Sequence, residues 1–175
     1  MEKTMRLVLF VMLTVFLVPA VIIRASETDG DKFMKDKQYR KAINEYESAL
    51  KKSPKDGGLT VKLARAYDAA AWYGRSVQHW EDYLKAFPGG EYADEAKQQA
   101  AKAHRWIGIN FYNNGEAAEK VIRQLDKATE LAPDLYEAWY WLGRIYMENG
   151  QFDKARDAAK HALDAKPGDA QAKWM

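Results

Sequence analysis

The stretch Tyr136 to Pro167, YEAWYWLGRIYMENGQFDKARDAAKHALDAKP, decides the fold, because it reads as two short amphipathic helices joined by a tight turn at Glu148-Asn149-Gly150-Gln151. Before the turn, Trp139, Leu142, Gly143 and Tyr146 stand at the i, i+3, i+4, i+7 spacing that places four residues on one helical face. After it, Phe152, Ala155, Ala159 and Ala162 repeat that spacing. A glycine inside a helix costs about 1 kcal/mol relative to alanine. Gly143 therefore implies a compensating gain, and close approach of the second helix, thin along Ala155, Ala159 and Ala162, supplies one. Pro167 stops that helix because its ring cannot continue the hydrogen-bond ladder.

Working outward, the same order of residue types recurs. Gly30, Phe33, Tyr39, Ala42, Tyr46, Ala49 and Pro54 form one copy, and Leu63, Ala64, Tyr67, Tyr73, Ser76, Trp80, Tyr83 and Pro88 a second. Ile107, Gly108, Phe111, Gly115, Val121, Leu125, Ala128 and Pro133 form a third, with one residue added in its turn. The terminating prolines at 54, 88, 133 and 167 are 34, 45 and 34 residues apart, so the irregularity is confined to one unit. Its extra residues, EYADEAKQQA, are rich in helix formers, and Ala93, Ala96, Ala100 and Ala103 carry the apolar stripe backwards. One long helix from about Glu91 to Asn113 follows. Ser76 and Tyr83 stand where the other copies have alanine, which predicts wider packing there.

This pattern resembles the tetratricopeptide repeat, a helix-turn-helix unit of about 34 residues with Trp, Leu, Gly, Tyr, Gly, Ala, an aromatic, Ala and Pro in set places. Trp139, Leu142, Gly143, Tyr146, Gly150, Ala155, Ala159, Ala162 and Pro167 occupy them, Ala159 departing from the usual bulky residue. The FPGGEYADEA segment is similar to repeat junctions of exported bacterial members. The resemblance implies an all-α, right-handed α-solenoid of about four tetratricopeptide helix-turn-helix units, at about 23–56, 57–90, 91–135 and 136–169. It also implies a protein-binding scaffold whose first helices line a concave groove. Mapped residue by residue, the groove would take Glu27, Asp31, Met34 and Lys35 from the first unit and Arg65 and Asp68 from the second. Lys102, Arg105, Ile109, Tyr112 and Asn113 would come from the third unit, and Glu137, Tyr140, Arg144, Met147 and Glu148 from the fourth. Arg65, Arg105 and Arg144 from successive first helices would favour a peptide or protein partner with acidic residues. The Lys and Asn pair with which chaperone-binding members hold a terminal carboxylate is missing from the first unit.

Composition narrows the function further. The chain of 175 residues has no cysteine, which removes disulfides, thiolate catalysis and cysteine metal sites. Removing Lys3, Arg6, Arg24 and Glu2 from its 27 basic and 25 acidic residues leaves 24 of each. Residues 26–175 thus lack the clustered positive charge by which nucleic acid is bound. Leu7 to Ile23 is an almost unbroken apolar run behind Lys3 and Arg6. It reads as a secretory signal over residues 1–25, with Pro19 breaking its helix and Ala25 at the cut. The alternative is a retained inner-membrane anchor, since 17 such residues are just long enough for an apolar layer of roughly 30 Å. Either reading places the chain outside the cytoplasm, periplasmic or extracellular, touching a membrane only through that segment.

No chemistry stands out. His79, His104 and His161 have no second ligand at helical spacing, so neither a metal nor another cofactor is expected, and they read as solvated or half-buried structural residues. Glu45 with Glu47, Glu116 with Glu119, and Asp153 with Asp157 fall on faces expected to meet water. Catalysis is not expected. Trp80 and Trp139 fall in core places, whereas Trp72, Trp106 and Trp141 are not fixed by the pattern and read as core or interface packing, with stacking on a glycan as the alternative. Gly168 to Met175 is too short for a full capping helix, which predicts weak self-association at that end through Trp174.

Overall fold

The computed structural model describes residues 29–170 and 173, so the expectations for residues 1–25 and for Trp174 fall outside the described residues. Among the described residues the chain is all-α, built of the helix pairs of a tetratricopeptide solenoid. Helix α1 covers 29–35. It is followed by α2 (Tyr39–Lys52), α3 (Gly57–Ala69), α4 (Tyr73–Ala86) and α5 (Ala93–Asn113), then α6 (Ala118–Leu131), α7 (Tyr136–Glu148) and α8 (Phe152–Ala165). The contacts divide these into two compact units, Met1–Ala70 and Ala71–Met175. Among the described residues no helix is long and apolar enough to cross a membrane.

Two local rules, each repeated, set where the helices stop. The first acts on α2, α4, α6 and α8, which end on Ser53, Phe87, Ala132 and Lys166, each followed by proline. A proline ring clashes with a preceding residue in the α conformation and pushes it to extended backbone. The four residues accordingly have φ of −134°, −136°, −138° and −138°. The second acts at the turn inside each pair, where Lys37, Ala71, Gly115 and Gly150 have φ of 56°, 57°, 70° and 69°. This left-handed residue lets the next N–H reach back to the carbonyl five residues earlier, the Schellman pattern. Gln38 N–H donates to Phe33 O at 2.8 Å, Glu116 N–H to Phe111 O at 3.0 Å and Gln151 N–H to Tyr146 O at 2.8 Å. The added residue of the third turn lies after this cap, and Ala117, φ −56° and ψ 140°, precedes α6.

Packing inside the pairs depends on the helical glycines. A Cβ on Gly30 would stand 2.5 Å from Cε1 of the Tyr46 ring, and one on Gly108 would stand 3.0 Å from Cγ of Leu125. Both glycines occupy the repeat place of Gly143, which is also buried. In the first unit, Ile43, Tyr46, Leu59, Leu63 and Tyr67 form the core, with Phe33 and Met34 packed on it. In the second, Val121, Leu125, Leu142, Ile145 and Ala158 do so. The alanine stripe of α5 is buried as expected, and the helix begins at Ala93 rather than Glu91.

The oversized Tyr83 is accommodated by its neighbours in sequence. Its ring lies 5.2 Å from that of Phe87 and 6.1 Å from that of Tyr92. Its hydroxyl accepts the Tyr92 N–H at 3.1 Å, and Gly90 leaves room for that oxygen, since a Cβ there would come within 2.5 Å of it. The FPGGEY loop is thus the counterpart of one bulky side chain. At the C-terminal end, α8 buries Ala155, Ala158, Ala159 and Ala162 and turns Arg156, Asp157, Lys160 and Asp164 to solvent.

Two substitutions separate these effects. Lys37 is exposed and left-handed, a conformation that costs an L-residue roughly 1–2 kcal/mol. Lys37→Gly should therefore raise stability by about 0.5–1 kcal/mol once the entropy of glycine is charged against it. Gly30→Ala should lower stability by about 1–3 kcal/mol, more than Gly108→Ala, because the Tyr46 ring cannot yield as a leucine branch can. Urea midpoints of the three variants give the order directly, and a neutral Gly30→Ala would refute the close approach.

Candidate functional site

The described residues offer one constellation on a helix face that the core does not consume. Lys102, Arg105, Ile109 and Tyr112 lie within an arc of about 100° on α5, and Tyr140, Trp141, Arg144, Met147 and Glu148 within a similar arc on α7. The two arcs meet at Tyr112. Its hydroxyl donates to Glu148 Oε1 at 2.9 Å and accepts from the Arg144 guanidinium at 3.1 Å. Arg144 Nε donates to the same Glu148 oxygen at 3.0 Å. The guanidinium carbon stands 5.3 Å from the Tyr112 ring centre and 5.0 Å from that of Trp141. Arg144 is thus held flat between aromatic faces, where a guanidinium both stacks and bonds in plane. The hydrogen bond to Glu148 raises its pKa above the ordinary value of a guanidinium.

The aromatic row continues along α7. Trp141 lies 5.4 Å from Tyr112 and meets Tyr140 edge-on at 6.2 Å, and Tyr140 stacks at 6.0 Å on Tyr136. At the far end Lys166 Nζ stands 4.7 Å over the Tyr136 ring and pairs with Asp169 at 3.0 Å. Partial burial, followed by the hydrogen bond to Asp169, pushes the Tyr136 phenol up to about 12. The residues after Pro167 are thereby tied to the first turn of α7.

The structure brings together some of the residues singled out in the sequence and separates others. Tyr112, Tyr140 and Arg144 lie on the described face, with Arg105, Ile109 and Met147 on the same arcs. Arg65 and Asp68 lie on α3, in the first unit. Asp31 serves the first core, accepting from Tyr46 OH at 2.6 Å and Lys62 Nζ at 2.8 Å. Burial opposes its ionisation, but those two bonds outweigh it and hold the carboxyl below its ordinary 3.8. Glu47, expected to face water, is half-buried and accepts from Tyr67 OH.

The aromatic and histidine assignments need correction in three places. Trp139 packs on the second core but is only half-buried, stacked at 4.3 Å on His161 and donating from Nε1 to Pro133 O at 2.8 Å. Trp106 is exposed and lies 4.7 Å from Tyr73. His104 is buried, 3% exposed, and bridges helices: Nδ1 is 2.8 Å from Gln124 Oε1 on α6 and Nε2 is 3.0 Å from Glu81 Oε1 on α4. Lys127 on α6 joins the same Glu81 oxygen at 3.2 Å. No sequence periodicity announces this knot, because its members are brought together by three different helices. A cleft of about 630 Å³ lies elsewhere, lined by α6 and α8 with Asp126, Glu130, Tyr146 and Lys154 among its residues. Burial, with Glu130 nearby, raises the Asp126 carboxyl above its ordinary 3.8.

Residues 113–173, spanning α6 to α8, match the tetratricopeptide repeat family model. Those residues therefore carry tetratricopeptide repeats. The chain is also 30% identical over 97 residues to tetratricopeptide repeat protein 37 of Xenopus laevis, a match covering 53% of this chain and 6% of that protein. A crystal structure of MamA protein superposes with a TM-score of 0.58 at 22% identity, covering 86% of this chain and 76% of that one. A second MamA crystal structure gives 0.54 at 24% identity, covering 82% and 77%. At these identities the likeness to MamA is one of fold.

The Glu81 knot has a pH signature. Burial disfavours the Glu81 carboxylate, yet the bonds from His104 and Lys127 prevail and hold it below its ordinary 4.5. A carboxyl lowered in the folded state adds stability above its unfolded value, and that stability is lost as pH falls through the folded value. Glu81→Gln should therefore destabilise the protein at pH 7 and flatten the fall in melting temperature below about pH 4.5. Melting curves from pH 3 to 7, on the order of one per half unit, compare the two slopes. Parallel curves for variant and parent would remove Glu81 as a stabilising anion.

Proposed function

We propose that this chain is a non-catalytic interaction scaffold that holds a protein partner on the α5–α7 face of its second unit. The observation that carries this is the aromatic row Tyr112, Trp141 and Tyr140 with Arg144 between its rings. Tyr112 and Trp141 pack one side against the second core, and all three side chains remain half-buried at the surface of two helices. Tyrosine, tryptophan and arginine are the residue types that dominate interface energetics, because each presents a large contact area with a polar end. The apolar run at Leu7 to Ile23 behind Lys3 and Arg6 supports an exported chain, with the partner in the cell envelope.

A photo-reactive residue placed at Ile109 should give a discrete cross-linked adduct in intact envelopes. The same residue at Lys160, on the solvent face of α8, should give none. Trp141→Ala, which removes an anchor worth about 2 kcal/mol or more, should abolish the adduct while leaving the melting temperature of the second unit within a few degrees. Adducts from Lys160 but not Ile109 would move the partner to the α8 face.

A further inference from the structure

Two of the turns inside the helix pairs carry the same dipeptide, Asn114-Gly115 after α5 and Asn149-Gly150 after α7. Both glycines are left-handed, with φ of 70° and 69°, and both asparagines are exposed. An asparagine before glycine can react with its own backbone, because no Cβ on the next residue shields the amide nitrogen that attacks the side-chain carbonyl carbon. Ring closure requires the asparagine ψ to swing away from its present value, 4° at Asn114 and 10° at Asn149. It also requires the glycine N–H to leave its acceptor, Tyr112 O at 3.0 Å in the first turn and Met147 O at 3.1 Å in the second. Each reaction therefore waits on local opening of its cap.

The two caps are not held equally. Asn149 Nδ2 donates to the backbone oxygen of Ile145 at 2.7 Å, a bond that pins the side chain to the last turn of α7. Asn114 Nδ2 donates to another side chain, Asn110 Oδ1 at 3.0 Å, and that contact is exposed. The reach-back bond is 2.8 Å after Gly150 and 3.0 Å after Gly115. Gln151 alone separates Gly150 from α8, and its carbonyl already accepts the Ala155 N–H at 3.0 Å. Glu116 and Ala117 both stand between Gly115 and α6, and the matching bond, Val121 N–H to Ala117 O, is 3.4 Å. Every difference leaves the Asn114 cap the easier to open.

We propose that Asn114 is a site of self-deamidation in the folded protein, and that Asn149 is protected from it. The Gly115 nitrogen loses its proton to solvent base and bonds to Asn114 Cγ, the Cγ–Nδ2 bond breaks, and ammonia leaves. Water then opens the succinimide ring at either carbonyl, giving aspartate, or isoaspartate with the chain running through the side-chain carbon. Water is consumed and ammonia released in equal amounts, and nothing is oxidised. The product carries a new carboxylate at the C-terminal end of α5, where the helix dipole is already negative. Isoaspartate also adds a methylene to the main chain between Phe111 O and the Glu116 N–H that it accepts. Tyr112, which joins Glu148 and Arg144, lies two residues before the site. Conversion therefore loosens the α5 cap next to that junction, whatever the face binds.

The test follows both sites by peptide mapping with mass spectrometry while the intact protein stands in mildly alkaline buffer, folded or in urea. In urea the two Asn-Gly pairs should convert at closely similar rates. In the folded protein both should slow, with Asn114 converting at least about threefold faster than Asn149, because one further hydrogen bond of ordinary net strength shifts an opening equilibrium by about that factor. Asn114→Gln, whose longer side chain does not close the same ring, should abolish acid formation at that position and leave Asn149 as it was. The acidic fraction of aged protein, separated by anion exchange, should melt a few degrees lower than the parent. Equal folded rates, a faster Asn149, or no conversion of Asn114 in the folded protein would overturn the assignment. An acidic fraction that melts with the parent would overturn the loosening of the cap.

Discussion

The ring of Tyr46 occupies the space in which a side chain on Gly30 would begin, and this mutual exclusion sets how near the two helices of a pair can lie. Leu125 stands in the same relation to Gly108. The glycine gives up helix propensity, and in return a large residue on the partner helix is buried against bare backbone, at about 1.5–3 kcal/mol for a side chain of that size. The rest of each pair is arranged to keep that contact in register. The left-handed cap after the first helix turns the chain back at a fixed point, and the pre-proline residue ends the second helix at another.

Much of this was legible in the sequence because it is local. A proline and its extended predecessor, a glycine at a turn and an alanine stripe all act within a few residues, so their spacing carries the information. The long α5 was legible for the same reason. Lys37 and Ala71 were harder, since they hold the left-handed turn position without being glycine, and only the equivalence of the four turns reveals it. The His104, Glu81, Gln124 and Lys127 knot was not legible. Its members lie on three helices, and each alone looks like an ordinary polar residue of a solvated face.

The candidate site was half legible. Repeat register alone placed Arg105, Ile109, Tyr112, Tyr140, Arg144 and Met147 on facing arcs of α5 and α7. It could not foresee that Glu148 and Tyr112 would occupy Arg144, because that depends on side-chain reach between helices rather than on spacing. Charge counted along a sequence thus overstates the charge a surface presents. Three arginines on successive first helices are not three equal binding groups: one is fastened into the aromatic row, one carries an orphan donor, and one lies in the other unit.

The lengthening of α5 to 21 residues, eight more than α7, alters the mechanics of the second unit. In a regular array each repeat touches only its neighbouring repeats, and stability is a sum of intrinsic and nearest-neighbour terms that can fray from either end. At 21 residues, on the order of 30 Å, α5 contacts α4, α6 and α7 together. It behaves as a spine rather than a link. Opening α4 or α6 by itself would strip a side of α5 that the remaining helices cannot cover, so the second unit has fewer partly open states available to it than a chain of equal repeats. A face built on that spine and on α7 keeps its shape through fluctuations that would splay an ordinary repeat pair.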